Sequence, residues 1–155
     1  MKGQDTIEKW APHSRVDPHL WMQFIYDNFR HEFVKRLGAT KQILNKYWDG
    51  INPRDPRRKH IEHLQWQRVR NWGIPIKLHG DGVDCNGESL NSVQWKSIVG
   101  EGVTIDTFYP CFSYFQSTSV PGMTKEIIWT RLVKSLLLAE TGKDASGRNL
   151  AGGFF

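Results

Sequence analysis

The stretch Ile74-Pro-Ile-Lys-Leu-His-Gly-Asp-Gly-Val-Asp-Cys-Asn-Gly87 decides the fold. Ile74, Ile76 and Leu78 alternate with Pro75, Lys77 and His79, the two-residue period of a half-buried strand. This strand, expected over 74–79, runs into Gly80-Asp81-Gly82, where two glycines leave the backbone around Asp81 free of side-chain bulk. Two readings compete there. A carboxylate at the mouth of a strand, preceded by His79, is one way of presenting a metal ligand or an acid–base group. A tight turn uses the same residues, because Asp tolerates turn geometry.

Downstream, the pattern continues as a meander. After a turn at Asp84–Glu88, a second strand is expected over 90–99, with Val93, Trp95, Ser97 and Val99 on one face and Gln94, Lys96 and Ile98 on the other. Gly100-Glu101-Gly102 turns the chain into a third strand over 103–116, bent at Pro110. Thr124 is placed to cap a helix over 125–141, ended by Gly142. Its apolar residues Ile127, Ile128, Leu132, Val133, Leu136 and Leu137 cover more than one face, which predicts deep burial. The tail to Asn149 reads as loop, and Leu150–Phe155 as the opening of another strand.

Upstream, the chain reads as helical. Asp17-Pro18 is a start signal for a helix carrying Leu20, Trp21, Phe24, Ile25, Phe29 and Phe33 on one face and stopped by Gly38. Thr40 caps a shorter helix ended by Asp49-Gly50, and Asp55-Pro56 opens a third that runs to Gly73. The fold class expected is therefore α+β: a basic helical region over 1–72, then a three-stranded antiparallel meander and a helix over 73–155.

Composition sets limits on function. With 39% hydrophobic residues, seven Trp and eight Phe, the 155-residue chain can bury a core. No apolar run approaches the about 18–20 residues needed to span a bilayer, so no membrane partner is expected. The polar stretch Met1–Trp10 does not read as a signal peptide. The two cysteines, Cys85 and Cys111, have no zinc-ligand spacing, and an intracellular compartment fits. His60 and His63 lack a third metal ligand nearby.

Charge is unevenly placed. Residues 1–70 hold 14 Lys and Arg against 8 Asp and Glu, a net of +6, whereas residues 71–155 hold 7 against 8, a net of −1. Arg57, Arg58, Lys59, Arg68 and Arg70 form a candidate phosphate-contacting ridge, with Trp66 available for stacking. A solvated helix face accounts for the same residues. DNA or RNA is the partner class this asymmetry favours, with nuclear localisation if the nucleic acid is DNA. Nothing in the sequence fixes the oligomeric state.

Ile74–Val83, Leu90–Gly100, Leu132–Gly142 and Asn149–Phe154 together resemble a family of repetitive, transposon-like proteins of unicellular algae. That family has an HGDGV strand, a Ser/Trp-rich second strand, a Leu-rich helix ending in Glu-x-Gly and a LAGG(Y/F) strand. The order of elements resembles the first half of a ribonuclease H-like fold, in which the first strand carries a catalytic carboxylate. The resemblance implies a truncated or degenerate transposase or integrase core. Asp81 would be its catalytic acid and its Mg²⁺ or Mn²⁺ ligand, and a second carboxylate would lie past Phe155. Two-metal chemistry needs several carboxylates, so the chain alone is expected to be inactive. Asp84, Glu88 and Asp106 are further acids of the meander. A non-catalytic nucleic-acid-binding module and a protein-interaction domain are the alternatives.

Overall fold

The computed structural model describes residues 15–62 (side chains to residue 59), 66–103, 107–143 and 146. Helices come first, then a three-stranded antiparallel sheet, then a long C-terminal helix, an α+β arrangement.

Helix α1 (Pro18–Asn28) starts where Asp17-Pro18 places it, with Asp17 extended and Pro18 in the first turn. The Asp17 carboxylate does not cap the helix; it holds the Arg15 guanidinium at 2.8 Å. The single helix expected up to Gly38 is broken at Phe29, and α2 (Arg30–Leu37) follows. Neither Pro nor Gly causes the break. The Asn28 side-chain amide donates back to the Phe24 carbonyl at 2.8 Å, the local competition for backbone groups that Asn brings to a helix. The bend brings Phe29 edge-on to Phe24 and Phe33 edge-on to Tyr26. Gly38, at φ 62°, ends α2 as expected.

Thr40 caps α3 (Lys41–Asp49), its Oγ1 accepting the Ile43 N–H at 3.3 Å. Asp55 does the same for α4 (Pro56–Glu62), accepting the Arg57 N–H at 2.9 Å. The one helix expected from here to Gly73 is instead two, α4 and α5 (Trp66–Trp72), with 63–65 outside the described residues.

Strand β1 (Ile76–Cys85) does not stop at His79. It continues straight through Gly80-Asp81-Gly82, so Asp81 stands in mid-strand rather than at a strand mouth or in a turn. The turn falls at Asn86-Gly87, both at positive φ (55° and 78°), the left-handed pair that matches strand twist in a two-residue hairpin. β2 (Glu88–Ser97) pairs with β1 from Cys85↔Glu88 to Ile76↔Ser97, and β3 (Tyr109–Phe115) pairs with β2. β3 starts later than the 103–116 expected, with 104–106 outside the described residues; the β2–β3 register shifts between Val93 and Gln94, where Cys111, next to Pro110, is left without a partner residue in the ladder.

Helix α6 (Thr124–Thr141) ends at Gly142, φ 66°. Thr124 is its first residue rather than its cap; its Oγ1 accepts the Val120 N–H at 2.8 Å and so stabilises the preceding turn. The expected deep burial is also corrected. Leu132, Ser135 and Ala139 are buried, but Ile127, Trp129, Val133 and Leu137 are exposed, because the helix packs along one stripe only. The tail expected as loop and strand lies outside the described residues apart from Lys143 and Ser146.

One core joins both halves of the sequence. Met22 and Ile25 of α1 and Phe33 and Leu37 of α2 pack with Val93 and Trp95 of β2, the inner residues of β3, and Leu132 and Ala139 of α6. Trp95 is fully buried at its centre. A second cluster, Leu44, Trp48 and Ile51 with Trp66 and Val69, ties α3 to α5.

Candidate nucleic-acid interface

Strand alternation sorts the sheet into two faces. Val93, Trp95 and Ser97 are buried on the inner face, as their spacing predicts. Gly80 and Gly82 belong to this face: a Cβ at Gly80 would lie 3.9 Å from Val93 Cγ2, and one at Gly82 3.6 Å from Asn91 Oδ1. Their missing side chains leave a groove of about 370 Å³ bordered by Phe112, Tyr114, Lys125 and Trp129.

Asp81 therefore belongs to the outer face, opposite Ser92. Its Oδ1 accepts the backbone N–H of Gly82 at 2.8 Å. The other acids of the hairpin are likewise used locally. Asp84 Oδ1 accepts the Gly87 N–H at 2.9 Å in the turn, and Glu88 takes both the N–H and the hydroxyl of Ser117. Among the described residues no three His, Cys, Asp or Glu come together in a way that could hold an ion. The residues around Asp81 thus do not fit a two-ion Mg²⁺ or Mn²⁺ site. Asp106 lies outside the described residues.

The five basic residues singled out on α4 and α5 do not form one free ridge. Arg57 is clamped by Asp55 through two side-chain hydrogen bonds, 3.0 and 2.7 Å. The Arg57 contact holds the Asp55 carboxyl down to about 2. Arg70 is held in the same bidentate way by Asp49, at 2.7 and 2.6 Å, which lowers the Asp49 pKa below the usual carboxylate range. Arg58 lies 4.3 Å over the Trp66 ring. Arg68 reaches the Thr141 carbonyl at 3.4 Å, and Lys59 is exposed. Two of the five charges are thereby offset by carboxylates.

A second set of cations lies on the outer face of the sheet. Lys77 stands opposite Lys96 in the register, and His79 opposite Gln94. Lys96 Nζ sits 4.7 Å over the Phe108 ring, and the His79 ring meets the same phenyl edge-on at 5.9 Å. Towards the hairpin end of this face, Val83, Leu90 and Phe115 fall in one row, with Val83 and Phe115 exposed. Asp81, Ser92 and Ser113 form the polar row between. The face therefore presents a basic aromatic end, a small polar middle and an apolar aromatic end. The alternation of Gln94, Lys96 and Ile98 placed Lys96 outward. The ring of Phe108, which precedes β3, had no sequence signal tying it to this face.

No protein family, curated protein or solved structure matches this chain. No helix among the described residues is long and apolar enough to cross a membrane.

Proposed function

We propose that this domain is a non-catalytic module that binds single-stranded nucleic acid on the outer face of its sheet. The observation that carries the reading is Lys96, opposite Lys77 in the register, with its ammonium over the Phe108 ring beside His79. Two ammonium groups meet phosphates, while an aromatic face takes a base, and stacking of this kind contributes about 1–3 kcal/mol per base without reading sequence. Ser92, Ser113 and Gln94 add hydroxyl and amide groups along the same face. Asp81 is the acid in its middle row, and its carboxylate is occupied with the Gly82 N–H.

The helix-then-meander-then-helix order favours placing the module in a transposase- or integrase-type protein, where a binding surface would serve a nuclease completed by further carboxylates.

Fluorescence anisotropy with a labelled oligonucleotide tests it. Contact with about two phosphates gives a log–log salt slope of about −1.4 on a single strand. Lys77→Ala with Lys96→Ala should flatten that slope, and Phe108→Ala should weaken binding without changing it. Binding unaffected by all three substitutions would refute the reading.

A further inference from the structure

Among the described residues, no strand pairs with the outer edge of β1. Among the described residues β1 pairs only with β2, and Lys77 to Asp84 are all exposed. In a hairpin closed by a two-residue turn, the flanking pair, here Cys85 and Glu88, is hydrogen-bonded, and bonded pairs then alternate along the ladder. Residues 77, 79, 81, 83 and 85 thus bond inward to β2. Ile76, Leu78, Gly80, Gly82 and Asp84 turn their N–H and C=O groups outward. The Asp81 contact agrees with this assignment, since the N–H its carboxylate covers is the outward one of Gly82, at 2.8 Å. A ten-residue edge without internal proline, its centre stripped of side chains on one face, is a template for another strand.

We infer that this edge pairs with β1 of a second copy of the chain, antiparallel, with the two-fold axis passing through Gly80. The midpoint of Ile76–Cys85 leaves Gly80 or Asp81 as the centres that pair the most residues. An axis through Asp81 would set that carboxylate against its own copy, and like charges directly opposite destabilise a strand pair. An axis through Gly80 sets the His79 imidazole N–H against the Asp81 carboxylate of the second copy, twice by symmetry. It also sets Leu78 against Gly82, so that Leu78 meets no opposing side chain. On pairing, the Asp81 carboxylate leaves the Gly82 N–H, which bonds to the Leu78 carbonyl of the second copy, and turns to His79. The groove beside Gly80 and Gly82, with Trp129 on its far wall, would then adjoin its copy across the new sheet. The two outer faces would form one continuous surface.

Sedimentation velocity on the full chain, without nucleic acid, tests this independently of the binding reading. The wild type should show a concentration-dependent monomer–dimer equilibrium. His79→Asp places carboxylates opposite each other, and Asp81→Lys removes the carboxylate that the His79 N–H meets; each should weaken the dimer roughly tenfold. The double variant His79→Asp/Asp81→Lys should restore it. Both positions are exposed, so the substitutions leave the core untouched. A wild type that stays monomeric at every concentration overturns the inference. So does a dimer indifferent to the single changes, or one that the double change does not rescue.

Discussion

Ser135 of α6 and His19 of α1 are joined by a buried hydrogen bond, 2.8 Å from Oγ to Nδ1, across 116 residues of sequence. The same hydroxyl accepts the His19 backbone N–H at 3.3 Å. This contact fastens the first helix to the last over the inner face of the sheet. Ser135→Ala removes the hydroxyl and leaves buried His19 groups without it. The expected cost is about 2 kcal/mol, read as a lower urea midpoint at unchanged slope. An unchanged midpoint would show that the two helices hold together without this bond.

The C-terminal end of α2 and the segment after β2 approach so closely that only glycine fits. A Cβ on Gly100 would lie 1.7 Å from the Arg36 carbonyl oxygen. Ser97 Oγ donates to the Leu37 carbonyl at 2.8 Å, and the Glu101 N–H to the Lys35 carbonyl at 3.0 Å, so neither backbone is free to retreat. Gly100→Ala should destabilise by about 3 kcal/mol, at the upper end for overpacking. Thermal unfolding checks it, and a wild-type melting temperature would contradict the packing described.

The periodicities that were legible in the sequence are those where one residue type dictates local geometry. Pro18, Gly38, Thr40, Asp55 and Gly142 mark helix ends where they were expected. The alternation of Val93, Trp95 and Ser97 gave the buried face of β2. What stayed hidden depends on partners distant in sequence. Gly80-Asp81-Gly82 has turn composition, yet ladder pairing with Asn91–Val93 keeps it extended. The apolar excess of α6 promised burial that one-sided packing does not deliver. The Arg57 and Arg70 charges look free until Asp55 and Asp49 are placed beside them. Phe108 could be assigned to the outer face only once its ring was seen between His79 and Lys96.

Cysteine reactivity should separate the two thiols. Burial, with Asp17 adding to it, pushes the Cys111 thiol up to about 12, so it stays protonated and sheltered at neutral pH. Cys85, at the hairpin end, is half-buried. Alkylation of the native protein followed by mass spectrometry should modify Cys85 first and Cys111 only on unfolding. Equal rates would contradict the placement of Cys111 in the core.

The Asp55–Arg57 clamp has a defined acid limit. The hydrogen bond from Arg57 lowers the Asp55 carboxyl to about 2. A depressed carboxyl stabilises the fold above its unfolded pKa, near 3.9, and loses that contribution as pH falls through the folded value. The side-chain carboxyl resonance of Asp55 should therefore titrate near 2, whereas in Arg57→Ala it should move up towards the ordinary range. A wild-type midpoint near 4 would show that the clamp does not hold in solution.

Because Asp55 and Asp49 offset Arg57 and Arg70, replacing those two arginines by alanine should weaken oligonucleotide binding less than replacing Lys77 and Lys96. Anisotropy at one fixed salt concentration compares the two pairs of variants. The reverse order would return the interface to α4 and α5.

The most direct test of the central claim is amide and aromatic chemical-shift mapping as a short single-stranded oligonucleotide is added. Perturbations should centre on Lys77, His79, Lys96 and the Phe108 ring and extend along the outer face towards Phe115. Perturbations confined to α4 and α5, or none at saturating oligonucleotide, would contradict it.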